Sequence, residues 1–219
     1  ATDTFTLVLK KAILLGSVKV VSGDNTWGRY HCYNNGTATL IDYDYSGHYY
    51  ILVIPPTIIF NVNTYKVTRI ADLSKTKRPY MGVDFSKATN LRIIENSAFE
   101  HWDLLGYQCD WDFSNTKLEY IGDYAFNNSM AQDAVERGGV DDNYVSVIKF
   151  PKTSKYIGKE AFGQNDAVDP KTDRIVFSTL NVDDIKKITF GDNWQPHQDD
   201  GCSIYLPDED LIDAYKSVN

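Results

Sequence analysis

The segment with the most chemical content is His197-Gln198-Asp199-Asp200-Gly201-Cys202, which brings an imidazole, two carboxylates and a thiol together. A bound cation there would use His197 with Asp199 or Asp200. Adjacent carboxylates on a loop are usually just solvated, and the other histidines, His31, His48 and His101, stand at no ligand-like spacing. Asp141-Asp142-Asn143 is a similar polar loop, without the alternating oxygens and closing Glu of an EF-hand. There is no C-x-x-C, G-x-S-x-G, H-E-x-x-H, P-loop or G-x-G-x-x-G. The 30 acidic residues offer many carboxylate pairs for glycosidase chemistry, and nothing singles one out. We therefore expect no catalytic residue, no metal and no cofactor.

Binding chemistry is better supported, and it depends on the elements that present it. A short apolar-x-apolar strand ended by Pro, Ser or Gly recurs along the chain. It reads Leu52-Val53-Ile54-Pro55, Val83-Asp84-Phe85-Ser86, Trp111-Asp112-Phe113-Ser114, Ile148-Lys149-Phe150-Pro151, Ile188-Thr189-Phe190-Gly191 and Ile204-Tyr205-Leu206-Pro207. Alternation puts the outer two residues on one face and the middle one on the other. The terminal Pro, Ser or Gly starts a turn. A second unit follows: Leu91-Arg92-Ile93-Ile94-Glu95-Asn96-Ser97-Ala98-Phe99, then Leu118-Glu119-Tyr120-Ile121-Gly122-Asp123-Tyr124-Ala125-Phe126, then Lys155-Tyr156-Ile157-Gly158-Lys159-Glu160-Ala161-Phe162. Its Ile, Ala and Phe stand four and five apart, which suits one helical turn with an inward stripe. Val67-Thr68-Arg69-Ile70-Ala71-Asp72 is a worn copy without the Ala-Phe pair. The spacing of the strand ends approaches that of leucine-rich repeats. The segments 100–108, 127–144 and 163–184 read as insertions.

If the strands stack, their middle residues line one extended concave face. Those positions are Val53, Asp84, Asp112, Lys149, Thr189 and Tyr205, and the two acids would receive a basic or polyhydroxyl partner. Trp102, Tyr107 and Trp194 fall in loops, where exposed aromatics stack on sugars or act as protein hot spots. Trp111 points inward by its place in the strand.

These two motifs, in fixed order, resemble the BspA-like leucine-rich repeat proteins, whose pattern is a strand ending Ile-x-Pro or Val-Asp-Leu-Ser, then Leu-x-x-Ile-Gly-x-x-Ala-Phe. The resemblance covers roughly residues 36–219. It departs at Ile70, which no Ala-Phe follows, at Glu95 in place of Gly, and in the long insertions. It implies an α/β leucine-rich repeat solenoid: right-handed, β-rich, with short strands on the concave face and irregular or short helical turns on the convex face. It also implies a non-enzymatic, exported cell-surface module that adheres to host or matrix proteins. The alternative is a surface glycan-binding protein using the loop aromatics.

A solenoid needs capped ends. Residues 1–50 read as an N-terminal β cap or flanking region, with strands at Phe5–Leu9, Val18–Val21, Thr37–Tyr43 and Tyr49–Ile54. Residues 51–219 read as the repeat domain. It closes on a short helix opened by Asp208-Glu209-Asp210, with Leu211 and Tyr215 on its inner face.

The net charge of −8, with no run of Lys and Arg longer than two, argues against nucleic acid and against an anionic membrane surface. No apolar run of 18 residues occurs, so no transmembrane helix is expected. Cys32, Cys109 and Cys202 are odd in number and imply no disulfide framework. The chain begins at Ala1, not Met, which fits an export signal lying outside this sequence.

Overall fold

A computed structural model describes residues 11–23, 25–46, 50–76, 81–102, 111–129, 147–163, 174–177, 181–194, 203–206 and 210–218. Three antiparallel strands come first: β1 (Leu14–Val21), β2 (Thr26–Tyr33) and β3 (Thr37–Tyr45). In β2 burial alternates residue by residue, with Tyr30 and Cys32 in the core. Next come β4 (Tyr50–Val53) and a tight hairpin of β5 (Thr57–Phe60) and β6 (Asn63–Ile70). From there the chain alternates between two parallel ladders. One carries β8 (Ile93–Ile94), β10 (Tyr120–Ile121), β12 (Tyr156–Ile157) and β14 (Thr189–Phe190), stacked in that order on β6. The other carries β9 (Trp111–Asp112), β11 (Val147–Lys149), β13 (Arg174–Val176) and β15 (Ser203–Tyr205). A third pair, β4 with β7 (Met81–Asp84), stands apart from the second ladder.

Because β3 pairs with β6 in parallel, one nine-stranded sheet runs from the antiparallel strands through to β14. Tyr30, Leu40 and Tyr43 accordingly share a single buried cluster with Val67, Phe99 and Phe162. β2 and the β5–β6 hairpin were not anticipated from sequence. β4 pairs with β7 and not with β3. The expected strand at 5–9 lies outside the described residues.

The core is built from one residue per strand end and one per turn. Phe85, Phe113, Phe150 and Phe177 follow one another, with ring centroids 4.9, 6.3 and 5.0 Å apart. Ile70, Ile94, Ile121 and Ile157 face them from the other ladder, all buried. Phe99, Phe126 and Phe162 fill the turns and stack at 5.1 and 5.0 Å. Stacked aromatic rings of this kind contribute beyond the area they bury.

Two expectations need correction. Ile188-Thr189-Phe190 does not belong with the first unit, since Phe190 pairs with Ile157 in the other ladder. The missing first-unit strand is Ile175-Val176-Phe177, inside the segment 163–184 read as an insertion; it pairs with Ile148-Lys149 and with Ile204-Tyr205. With Phe177 in place of Phe190 the strand ends Ile54, Phe85, Phe113, Phe150, Phe177 and Leu206 stand 31, 28, 37, 27 and 29 residues apart. Phe190 in that place would have given irregular steps of 40 residues from Phe150 and 16 to Leu206.

The Ala-Phe turn is not helical. Ser97, Tyr124, Glu160 and Asn193 hold the same place in successive turns, and all have positive φ, from 47° to 58°. Three of them donate to the next layer, Ser97 N to Asp123 O, Tyr124 N to Lys159 O and Glu160 N to Asp192 O, all at 2.9 Å. Phe99 N donates to Ala125 O, Phe126 N to Ala161 O and Phe162 N to Trp194 O, at 2.7–2.9 Å. Inward placement of Ala and Phe is the same in a helical or a left-handed turn, which is why the spacing misled. The layers approach so closely here that a Cβ on Gly122 would stand 2.3 Å from Asn96 N. Glu95, first in the series, has no such turn beneath it; β6 leaves through Asp72, whose Oδ1 accepts the Ser74 N–H at 2.9 Å.

Two short helices remain among the described residues, α1 (Val182–Ile185) and α2 (Asp210–Lys216). Asn181 caps α1, its Oδ1 accepting the Asp184 N–H. The expected helix near the C-terminus is present as α2, burying Leu211 and Ala214, while Tyr215 packs 5.5 Å from Phe190. Among the described residues no helix is long and apolar enough to cross a membrane.

Candidate binding face

Two rows of side chains point away from the core, one on each ladder. The first contains most of the positions singled out from sequence. Val53 lies opposite Asp84, Asp112 opposite Lys149, and Lys149 opposite Val176. The backbone of Tyr205 pairs with Val176. The two acids close their own strands. Asp84 Oδ1 accepts the Ser86 N–H at 2.7 Å, and Asp112 Oδ1 accepts the N–H and hydroxyl of Ser114 at 2.9 and 2.5 Å. These are Asx turns, with the carboxylate standing in for a backbone carbonyl. Lys149 Nζ then reaches Asp112 Oδ2 at 3.0 Å. Partial burial pushes the Asp112 carboxyl up, but the Ser114 bonds and Lys149 outweigh it and hold it below the ordinary carboxylate range.

The two loop tryptophans are not displayed. Trp102 is buried between Phe99 and Tyr43, with ring centroids 4.7 and 4.6 Å away. Trp194 is fully buried beside Phe190 at 5.0 Å. Trp102 follows the first Ala-Phe turn, its backbone N–H donating to Phe99 O, and Trp194 takes the place of the Ala in the last turn, its carbonyl accepting the Phe162 N–H. Tyr107 lies outside the described residues, as do His197–Cys202 and Asp141–Asn143. Trp111 is buried as expected, and Cys32 is a buried free thiol.

The second row is on the nine-stranded sheet. Ile93, Tyr120, Tyr156 and Thr189 are direct neighbours across β8, β10, β12 and β14. Of these, only Thr189 was singled out from sequence. The Tyr120 and Tyr156 rings stack with centroids 4.8 Å apart and planes 10° apart. On one flank Glu119 bridges two cations: Arg92 grips Oε1, with Nε at 2.8 Å, and Lys155 Nζ meets Oε2 at 2.9 Å. The Lys155 bond, opposed by some desolvation and helped by Arg92, holds the Glu119 carboxyl below its ordinary range. On the other flank a polar residue after each Ile ties its layer to the next. Asn96 Oδ1 accepts the Tyr120 hydroxyl at 3.4 Å and the Asp123 N–H at 3.1 Å. One layer on, Asp123 Oδ1 accepts the Tyr156 hydroxyl and the Lys159 N–H, both at 2.9 Å. Arg69, opposite Ile93, pairs with Glu95 at 2.7 Å.

Two adjoining clefts of about 640 and 550 Å³ open on this face and share Arg69, Ile93, Glu95 and Glu119. The larger reaches Tyr33, Asn35 and Thr39 of the antiparallel strands, so both parts of the sheet build it. A sequence signal for this row existed: alternation applied to the second unit puts Ile93, Tyr120 and Tyr156 outward just as it puts Ile94, Ile121 and Ile157 inward.

No protein-family model matches the chain, and no curated protein sequence matches it. Among solved structures it is similar to a leucine rich cell surface protein from Faecalibacterium prausnitzii A2-165, at 13% identity and a TM-score of 0.36, over 89% of this chain and 55% of that one. The chain thus spans about half the length of that protein.

Proposed function

We propose that this chain is a non-enzymatic leucine-rich repeat solenoid of the cell surface that holds an extracellular partner on the outer face of its long sheet. The observation that carries this reading is the row Ile93, Tyr120 and Tyr156, an apolar and aromatic strip crossing three layers, with the Arg92–Glu119–Lys155 charges on one flank and Asn96 and Asp123 on the other. Half-buried tyrosines beside fixed polar groups have the composition of binding hot spots. The first row has its acids engaged in turns and in the Lys149 pair, so the second is the better docking face.

A host or matrix protein is the first partner, in line with the resemblance to BspA-like proteins. The test is surface plasmon resonance of the chain over immobilised purified matrix proteins. Saturable binding lost in Tyr120→Ala/Tyr156→Ala and kept in Asp84→Lys/Asp112→Lys supports the assignment to this face. The reverse pattern moves the partner to the first row, and turnover on a hydrolase panel sinks the non-enzymatic reading. A glycan is the second partner, favoured by the clefts beside Tyr120.

A further inference from the structure

The Tyr120–Tyr156 stack fixes which way the rings face. Their centroids lie 4.8 Å apart across neighbouring strands, and their planes differ by 10°. That separation matches the spacing of paired strands, so the two near-parallel rings stack across the strand pair. Tyr156 therefore covers one face of Tyr120. The other face looks over Ile93, its opposite neighbour, whose shorter side chain leaves the floor of the cleft open.

Six charged groups lie at or beside that floor, three of each sign: Arg69, Arg92 and Lys155 against Asp72, Glu95 and Glu119. Arg69 binds Glu95, and Arg92 binds Glu119. An ionic ligand would have to displace one partner of a pair and would meet the like charge of the other. A neutral hydroxyl faces no such conflict, since each hydroxyl both donates and accepts. It can accept from a guanidinium edge while donating to the neighbouring carboxylate. The free aromatic face suits the apolar C–H side of a pyranose ring, and a concave site with one apolar platform and a few convergent polar groups is the usual form of a small-ligand pocket.

We propose that the two adjoining clefts over Ile93, the larger walled by the Arg69–Glu95 and Arg92–Glu119 pairs and the smaller by Tyr120, together form a subsite for a neutral sugar. The subsite rests on the reading of this face as the binding face, and it gives that face a ligand chemistry. The larger cleft straddles the junction of β3, β6 and β8, so it is made once in the chain and is not repeated layer by layer.

The experiment is calorimetric titration of the whole chain with cellohexaose, maltohexaose and chitohexaose, and with the anionic hexagalacturonate. The expected result is binding of at least one neutral hexasaccharide with a Kd of about 1 mM or tighter, unchanged between about 50 and 500 mM salt because no net charge is exchanged. Tyr120→Ala, and Ile93→Trp to fill the cleft, should each weaken it by about tenfold or more. Circular dichroism checks that both variants fold. If neither variant folds, the same weakening is sought in Arg92→Met. No neutral binding at about 10 mM, binding of hexagalacturonate alone, or affinity indifferent to these substitutions overturns the subsite. Matrix-protein binding that survives enzymatic deglycosylation and an excess of the hexasaccharides overturns it too, while leaving the binding-module reading in place. Loss of both sugar and protein binding removes both.

Discussion

Tyr156 donates its phenolic hydrogen to Asp123 Oδ1 at 2.9 Å, and this oxygen also accepts the Lys159 N–H. Asn96 holds Tyr120 in the same way one layer earlier, at 3.4 Å. The outer row is thus anchored residue by residue to the turns that join the layers.

That anchorage has a pH signature. Desolvation, together with the Asp123 carboxylate, pushes the Tyr156 hydroxyl up to about 12 from an ordinary value of 10.0. A raised folded-state pKa favours the neutral phenol. Its contribution to stability is therefore complete below about pH 10 and is lost as pH rises toward 12. In alkaline difference titration at the phenolate absorbance, Tyr156→Phe should remove one late-titrating group. Asp123→Asn should shift that group downward. A Tyr156 titration near 10 in the native protein would contradict the geometry.

At the acid end Glu119 behaves oppositely. Its carboxyl is held below the ordinary range by Lys155 and then Arg92, so its contribution exists above about pH 4.3 and fades as pH falls through the lower folded value. The group is partly exposed, and such networks are worth about 0.5–1 kcal/mol. Glu119→Gln should cost about that much in urea denaturation at pH 7, less at high salt, and nothing near pH 2.

Close approach of the turns makes Gly158 intolerant of a side chain. A Cβ there would lie 2.5 Å from Asp123 N. Gly158→Ala should destabilise by about 1–3 kcal/mol, the scale of an overpacked core. Gly36 has nothing within 4 Å of such a Cβ, but its φ is +77°, so Gly36→Ala should cost only the backbone term of about 1 kcal/mol. Equal costs at the two sites would refute the packing explanation.

The hairpin joining β5 to β6 turns through Asn61 and Val62, with φ of 45° and 62°, and Val62 is 96% exposed. A β-branched residue is poorly suited to this left-handed position, whereas Asn-Gly is the favoured pair. Val62→Gly should raise stability by about 1 kcal/mol. A decrease would mean that the Val62 side chain makes a contact worth more than the strain.

Phe177 separates a repeat strand from an insertion. It is fully buried, 5.0 Å from the Phe150 ring and 6.3 Å from that of Trp194. Phe177→Ala should cost about 3–5 kcal/mol. A cost within experimental error would restore segment 163–184 to the status of a loop.

Much of the fold was legible in the sequence, because alternation and turn residues act locally. Inward Phe85, Phe113 and Phe150, inward Ile94, Ile121 and Ile157, the Ala-Phe fillers and the helix near the C-terminus with Leu211 all follow from spacing. The antiparallel strands were partly legible, through β1 and β3, whereas the parallel pairing of β4 with β7 was not. The candidate site was less legible. Asp84 and Asp112 are outward, as alternation requires, but their oxygens are spoken for by Ser86, Ser114 and Lys149, and hydrogen-bond partners are not encoded in period. Trp102 and Trp194 lie in irregular segments, where no periodicity says which way a ring turns.

The sequence by itself determined that this protein is layered, which residues face the layers, and that a short helix lies near the C-terminus. The tertiary structure decided which ladder each apolar triplet joins. Ile188-Thr189-Phe190 and Ile175-Val176-Phe177 are alike as strings, and only their partners, Ile157 in one case and Ile148 in the other, assign them. It decided the turn as well, because a left-handed residue such as Tyr124 is stabilised by a hydrogen bond to the next layer's Lys159 carbonyl, 35 residues along the chain. And it decided how the outward charges are paired, through cross-layer pairs such as Arg69–Glu95 and Arg92–Glu119, whose members no local rule connects.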